Sequence, residues 1–168
     1  MKNPVKTRLL LQPALFCGLF LLAACSGNII LVPGSSKPLD KRFIGEWRNE
    51  SMRVECATFR GSDTTFVLDV PAGQWEARMR MQPIRTTYKA DGSYVSEYRT
   101  LSDSVSLRRE GRWTANGKRL ILNETQPDKR EYVNEYTISG KRASFSSTLD
   151  FDGDGRNDDQ YQGVQRKQ

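Results

Sequence analysis

The chain has 168 residues and a formal net charge of +6, with 26 lysines and arginines against 20 acidic residues. Its length allows one domain with a real hydrophobic core. It contains no histidine, which removes the commonest general base and every histidine-dependent nucleophile scheme. We therefore expect a protein that is not an enzyme, and consider binding and interaction functions instead.

The chain begins with the pattern of a secretory signal peptide. Lys2, Lys6 and Arg8 form a basic leader, and a mainly apolar run over residues 9–24 follows it. This run is too short for a comfortable membrane span, which needs about 20 residues. We predict a signal peptide over residues 1–24. Its removal takes away three cations and no acids, so the net charge falls from +6 to +3 and nucleic acid is not an expected partner.

The end of the apolar run, Leu22-Ala23-Ala24-Cys25, resembles the bacterial lipobox. The resemblance implies cleavage before Cys25, a diacylglycerol thioether on its sulfur and an acyl chain on the new amino terminus. Several acyl chains anchor a protein stably, whereas one does so only marginally. Because Ser26 rather than aspartate follows the cysteine, the sorting rule of these lipoproteins implies the outer membrane, with the protein facing the periplasm. The alternative is an ordinary signal peptide with an incidental cysteine.

The segment after the lipobox is rich in turn-forming residues and predicts a short tether. We assign residues 25–41 to the lipidated cysteine and tether, and residues 42–168 to a single domain. Of the remaining cysteines, Cys17 leaves with the signal peptide. Cys56 then has no partner for an intramolecular disulfide, and we expect its thiol in the core.

From Phe43 onward apolar and polar residues alternate, which is typical of half-buried strands. On this basis Trp75, Met79 and Met81 share one face of a strand predicted at 75–81. The predicted strands are 43–49, 52–59, 65–70, 75–81, 84–89, 93–99, 104–114, 118–124, 131–138, 142–150 and 160–166.

Turn signals separate these strands at short intervals. Asp-Gly, Asn-Gly and Ser-Gly pairs at 91–92, 116–117 and 139–140 predict tight hairpins, because glycine adopts positive φ without strain. Many short antiparallel strands indicate a meander that closes into a barrel or folds into a sandwich. Closure removes exposed strand edges, and for that reason we favour the barrel.

Two segments resemble bacterial lipocalin-like domains. The first is Gly45-Glu46-Trp47, a Gly-x-Trp opening, and the second is Gly111-Arg112-Trp113 with the hairpin that follows it. The resemblance implies an all-β fold, namely a single antiparallel up-and-down (lipocalin-like) barrel with a central cavity. The purely structural alternative for these tryptophans is a plug at one barrel end.

An acidic stretch near the end of the chain predicts a calcium site. Counted from Asp150, carboxylates fall at positions 1, 3, 5 and 9, with Gly155 at position 6 to permit a sharp turn. Position 12 is Tyr161, where an EF-hand has glutamate, so the spacing instead resembles the Asp-x-Asp-x-Asp-Gly-x-x-Asp loops of β proteins. The predicted ligands of a structural Ca²⁺ are Asp150, Asp152, Asp154, Asp158 and the carbonyl of Arg156. The alternative is a solvated acidic turn.

Arginines cluster at Arg108, Arg109 and Arg112. Such a cluster suits anionic groups, although a solvated strand face is the simpler interpretation.

The leading functional hypothesis is an outer-membrane-anchored lipoprotein that binds a small apolar or amphipathic ligand inside its barrel, without catalysis. The alternative is an envelope assembly or interaction lipoprotein with a filled barrel, acting on an envelope protein through its outer surface. A cavity of at least ~300 Å³ inside the barrel distinguishes the two.

Overall fold

Nine strands make up most of the described part of the chain, residues 39–168 of the computed structural model. They are β1 (Gly45–Cys56), β2 (Phe66–Val70), β3 (Arg85–Tyr88), β4 (Ser93–Arg99), β5 (Val105–Asn116), β6 (Arg119–Gln126), β7 (Arg130–Ser139), β8 (Arg142–Leu149) and β9 (Asp159–Lys167). A 3₁₀ turn (Lys41–Phe43) precedes β1, a second (Phe59–Gly61) follows it, and the helix α1 (Trp75–Met79) follows β2. The predicted signal peptide, Cys25 and the tether as far as residue 38 lie outside the described residues.

Eight of these strands close into a barrel. The order β1-β3-β4-β5-β6-β7-β8-β9 is completed by pairing of β9 with β1, and neighbouring strands are antiparallel. The remaining strand, β2, pairs with the second half of β1 outside this cycle. The all-β, up-and-down antiparallel barrel predicted from the sequence is confirmed. No helix within residues 39–168 is long and apolar enough to cross a membrane.

A bulge joins two predicted strands into one. The segments 43–49 and 52–59 were predicted as separate, but β1 runs through both, with a register shift against β9 between Asn49 and Ser51. The extra residue reverses which side chains face inward, so that the buried row passes from Trp47 to Met52. An interrupted alternation therefore imitates a strand end.

The predicted strand at 75–81 is wrong, because this segment forms helix α1. Trp75 and Met79 lie four residues apart, which places them on one face of a helical turn, and Trp75 is buried. The helix ends at Arg80, whose φ of 55° is left-handed and whose N–H donates to Glu76 O at 3.0 Å. In a segment of five residues, apolar side chains at positions i and i+4 fit one face of a helix and also one face of a strand. The sequence pattern therefore could not distinguish helix from strand here.

Aromatic side chains plug one end of the barrel. The Phe43 ring lies 5.8 Å from that of Trp47, 6.0 Å from that of Trp113 and 4.7 Å from that of Tyr136, between centroids. Both indole N–H groups are satisfied, since Trp47 Nε1 donates to Phe43 O at 2.7 Å and Trp113 Nε1 donates to Lys89 O at 3.0 Å. We call this the plug end. The short hairpins at 89–92, 117–118 and 140–141 lie there.

Asp40 holds the start of the described chain at the plug end. Its carboxylate accepts hydrogen bonds from Arg42 N at 3.0 Å and from the Tyr136 hydroxyl at 2.9 Å. Burial and this bond to Asp40 raise the pKa of Tyr136 to about 12, so its hydroxyl remains a donor at neutral pH. The opposite end, which we call the loop end, carries the longer connections 57–84 and 150–158.

Candidate functional site

A cavity of about 460 Å³ lies inside the barrel and reaches the loop end. Its apolar lining includes Tyr88, Tyr94, Leu120, Leu122, Phe145 and Tyr161. Toward the loop end it is lined by Leu149 and by Phe151, which is 41% exposed. The volume exceeds the ~300 Å³ that marks the lower end of ligand pockets. The barrel is therefore not filled by its own side chains.

An ion pair inside this lumen is its main polar feature. Arg109 Nη1 donates to Glu124 Oε2 at 3.1 Å and Oε1 at 3.3 Å, and to the Tyr132 hydroxyl oxygen at 3.0 Å. The side chain of Glu124 is only 1% exposed and that of Arg109 is 28% exposed. The guanidinium also lies over the ring of Tyr98, 5.5 Å from its centroid. A buried ion pair is thus held within a mainly apolar cavity.

Other lumen groups differ in how well they are satisfied. The hydroxyls of Thr86 and Ser96 bond each other at 2.8 Å. Within residues 39–168, three buried polar atoms that belong to lumen-lining residues lack a hydrogen-bond partner: Trp75 Nε1, Arg109 Nε and Gln165 Oε1. A buried polar group without a partner loses free energy relative to its hydrated state. Two of these three atoms are donors, and all three are shielded from the solvent of the lumen.

A second concavity, of about 530 Å³, lies on the outer face of the barrel and is more open than the lumen. Outward-facing residues of β1, β7, β8 and β9 contribute most of its lining, among them Arg53, Glu135 and Gln162. Its walls are mainly the outer surfaces of strands, whereas the lumen is lined by inward-facing residues.

The predicted calcium ligands lie in the loop between β8 and β9, residues 150–158, which we call the acidic loop. Oxygen atoms of Asp150, Asp152 and Asp154 lie within 4.8 Å of one another. The backbone N–H of Arg156 donates to Asp154 Oδ1 at 2.8 Å. The hydroxyl of Thr58 donates to Asp158 Oδ2 at 3.4 Å. The structure brings three of the predicted carboxylates together, while the roles of Arg156 and Asp158 as ligands stay predictions.

Asp159 adds a buried carboxylate beside the acidic loop. It is fully buried, and its Oδ2 accepts from the backbone N–H groups of Phe151 at 2.6 Å and Asp152 at 3.2 Å. Its Oδ1 has no hydrogen-bond partner among the described residues, and the same holds for Asp154 Oδ2. Carboxylate oxygens without donors favour a hard cation.

Cys56 lies next to this carboxylate group. Its sulfur and one oxygen each of Asp152 and Asp159 lie within 4.8 Å of one another. Burial first, and then the neighbouring Asp159, raises the pKa of Cys56 to about 12. Cys56 is therefore a neutral thiol at ordinary pH, and the hard oxygen atoms that a cation could bind here are those of the aspartates.

Of the comparisons with known proteins, the search of solved structures is the one that finds similar chains. No family model and no curated protein matches the chain. Among solved structures, it is similar to a lipocalin-like protein from Bacteroides uniformis ATCC 8492, with 10% sequence identity and a TM-score of 0.43. The match covers 75% of this chain and 98% of that chain. The fold assignment above rests on the strand pairing of this chain itself.

Sequence reasoning placed Arg109 in an arginine cluster with Arg108 and Arg112, but the three do not share a face. Arg108 points outward and pairs with Glu97, Nη1 to Oε1 at 3.7 Å, while Arg109 points into the lumen. The signal was present in the alternation of β5, because residues 109 and 113 fall in one row and tryptophan at 113 is large and apolar, as its burial reflects. The burial of Asp159 was also missed. It could have been found from the alternation of β9, because Asp159 lies two residues before Tyr161 in the same inward-facing row.

Proposed function

We propose that this protein is an outer-membrane lipoprotein that binds a small apolar or amphipathic ligand inside its barrel, without catalysis. The observation that carries the proposal is the lumen of about 460 Å³, which is mainly apolar and holds a few polar groups. Ligand pockets of proteins have this volume and this mixture of apolar walls and isolated polar groups.

The direction of the chain supports access to that lumen. The described chain starts at the plug end, where Asp40 bonds Tyr136, and the lumen extends to the loop end. An anchor at Cys25 precedes the plug end in the sequence. A ligand would then enter at the end opposite the point where the tether joins the barrel.

Filling the lumen should abolish binding. We expect Asn134→Trp to weaken binding of the neutral fluorescent probe N-phenyl-1-naphthylamine at least about tenfold, because the added ring occupies the cavity. The matched control is Val133→Trp on the same strand, since Val133 is 43% exposed on the opposite face. Fluorescence titration of the two variants and the wild type measures the effect. Equal affinities in both variants, or no binding by the wild type, would contradict the proposal.

The lipid anchor has a separate test. Replacing Cys25 with serine should remove the diacylglycerol attachment and move the protein from the membrane fraction to the soluble fraction, because no acyl chain would then hold it. Cys17→Ser changes a cysteine upstream of the predicted cleavage site and should leave the protein membrane-bound. Fractionation with immunoblotting, and mass measurement to exclude uncleaved precursor, gives the readout. A processed Cys25→Ser protein that still sediments with membranes would refute the anchor.

The acidic loop is proposed to hold a structural Ca²⁺. Support comes from the three gathered carboxylates of Asp150, Asp152 and Asp154 and from the fully buried Asp159, whose Oδ1 lacks a partner among residues 39–168. Oxygen ligands of this kind and number suit Ca²⁺. The ion would fix the connection between β8 and β9, and with it Phe151, which lines the lumen.

A further inference from the structure

We propose that Cys56, Asp152 and Asp159 form a binding site for Zn²⁺, which differs in its ligand chemistry from the calcium site of the acidic loop. We call these three residues the inner group. Zinc binding here would not depend on a ligand in the lumen. Three observations support it: a buried carboxylate without a counter-charge, a thiol beside that carboxylate, and an approach from solvent through the acidic loop.

Asp159 is a buried carboxylate that has no counter-charge in the described chain. The residue is fully buried, and neither Asp159 nor Asp152 forms an ion pair with a lysine or arginine of residues 39–168. Its Oδ2 accepts two backbone N–H bonds, whereas its Oδ1 has no hydrogen-bond partner within that range. Buried charges are normally paired or coordinate a metal ion. A bound cation would supply the positive charge that this carboxylate lacks.

Arg60 approaches the inner group with its backbone and not with its charge. Its N–H donates to Asp152 Oδ2. Its guanidinium lies instead over the ring of Phe59, with 5.1 Å between Cζ and the ring centroid. Arg60 therefore helps to position Asp152 but does not neutralise it.

The thiol of Cys56 decides which cation fits the inner group. Its sulfur and one oxygen each of Asp152 and Asp159 lie within 4.8 Å of one another. Ca²⁺ takes oxygen ligands, so Cys56 does not suit it. Zn²⁺ binds cysteine sulfur and aspartate oxygen in one tetrahedral site, whereas Cu(I) is selected by soft ligands alone. The mixed donor set therefore favours Zn²⁺, with a water molecule as the fourth ligand.

The ligands come from three segments that meet at the loop end. Cys56 ends β1, Asp152 lies in the acidic loop and Asp159 begins β9. Around a tetrahedral Zn²⁺ such ligand atoms lie about 3.3–3.7 Å apart, so the separations of up to 4.8 Å would close by about 1 Å. Asp152 is half-buried between exposed neighbours, and the ion would reach the group from this side.

Binding of zinc exchanges one bond of the cysteine for another. The thiol of Cys56 carries a proton when no metal is bound. A sulfur–zinc bond replaces the sulfur–hydrogen bond, and the proton passes to the solvent. No oxidation or reduction takes place, so the site needs no further reactant.

Cobalt substitution tests the sulfur ligand directly. The intact, purified protein is reduced, stripped of metal with EDTA, freed of the chelator and titrated with Co²⁺, whose bond to a thiolate gives a charge-transfer band in the near ultraviolet. One equivalent of Co²⁺ should saturate this band, and Zn²⁺ should abolish it by displacing Co²⁺, because thiolate ligands select zinc. Binding of Co²⁺ without the band would overturn Cys56 as a ligand. A signal that does not saturate near one equivalent would mean an adventitious ion only and would overturn the site.

Variants assign zinc binding to the inner group. Cys56→Ser should lose the band and bind Zn²⁺ at least about tenfold more weakly, measured by competition with a chromophoric chelator. Cys17→Ser is the matched cysteine control and should behave as the wild type. Asp159→Asn keeps an oxygen for its two backbone N–H bonds and should weaken zinc binding to a similar degree. A band that persists in Cys56→Ser, or an unchanged zinc affinity of Asp159→Asn, would overturn the proposal. If Cys56→Ser does not fold, Cys56→Ala replaces it.

The same cysteine variant separates zinc from calcium. Because Ca²⁺ takes oxygen ligands, Cys56→Ser should keep the response of the melting temperature to calcium while it loses tight zinc binding. A variant that keeps both the calcium response and the full zinc affinity would show that zinc binds the carboxylates of the acidic loop, and would overturn the separate site.

Discussion

Replacing Arg109 with leucine is expected to lower the free energy of unfolding by about 3–5 kcal/mol, the usual cost of removing one partner of a buried ion pair. The reason is the position of Glu124, whose side chain is only 1% exposed and whose two oxygens both bind Arg109. Without the guanidinium, a carboxylate would stay buried with no counter-charge. Urea unfolding followed by circular dichroism, with linear extrapolation to zero denaturant, measures the loss.

Two further variants make this expectation specific. Arg108→Leu removes the neighbouring arginine, whose ion pairs with Glu97 and Glu110 are partly exposed, and should change stability by no more than about 1 kcal/mol. The double variant Arg109→Leu with Glu124→Leu leaves no buried charge and should recover most of the loss. If the double variant is as unstable as Arg109→Leu alone, the cost does not come from an unpaired Glu124.

The barrel could be predicted from the sequence because alternation reports directly on which face of a strand is buried. It held along β7, where Tyr132, Asn134 and Tyr136 are less exposed than the residues between them. It failed where the backbone departs from a regular strand. At Asn49 a bulge interrupts the row, and at Trp75 a single helical turn imitates a period of two. Neither the bulge nor the helical turn changes the local amino-acid composition enough to be predicted from it.

The ion pair of the lumen was harder to predict from the sequence than the fold. An arginine between outward-facing arginines looks like surface charge, and only the row shared with Trp113 marks Arg109 as inward. Its partner Glu124 comes from the next strand, and the pairing depends on a register shift between Glu110 and Gly111 that no local pattern predicts. A Cβ at Gly111 would lie 2.1 Å from Asn123 O, which shows how closely the two backbones approach at this point.

The acidic loop, unlike the ion pair of the lumen, could be predicted from the local sequence. The spacing of its carboxylates is a local property, and three of them meet as a turn of this sequence predicts. The buried neighbour Asp159 depends on tertiary structure instead, because its burial results from its place at the start of β9 beside Cys56. The local motif therefore predicted where three carboxylates meet, and the barrel places a further, buried carboxylate beside the loop.

Calcium is expected to raise the melting temperature of the protein by about 10 °C at about 10 mM. For dissociation constants of about 10⁻⁵–10⁻⁴ M, saturation of one native-state site adds about 2.7–4.1 kcal/mol, which corresponds to a shift of this size for a domain of this length. The physical reason is that the ion neutralises carboxylates which otherwise repel one another, and binds oxygens of Asp154 and Asp159 that have no donor among residues 39–168. Differential scanning calorimetry after removal of bound metal with EDTA measures the shift.

Asparagine variants separate ion binding from the hydrogen bonds of the loop. Asp154 accepts the backbone N–H bond of Arg156 through its Oδ1 atom, and asparagine retains an oxygen for that purpose. Asp154→Asn should therefore fold and lose most of the calcium-dependent shift. The control, Asp63→Asn, removes the same charge from an exposed site and should retain it. Magnesium at equal concentration should give a much smaller shift, because it demands octahedral geometry and holds its own waters. An unchanged melting temperature of the metal-stripped wild type on adding calcium would refute the site, and an equal response to both ions would indicate screening of the acidic loop instead of coordination.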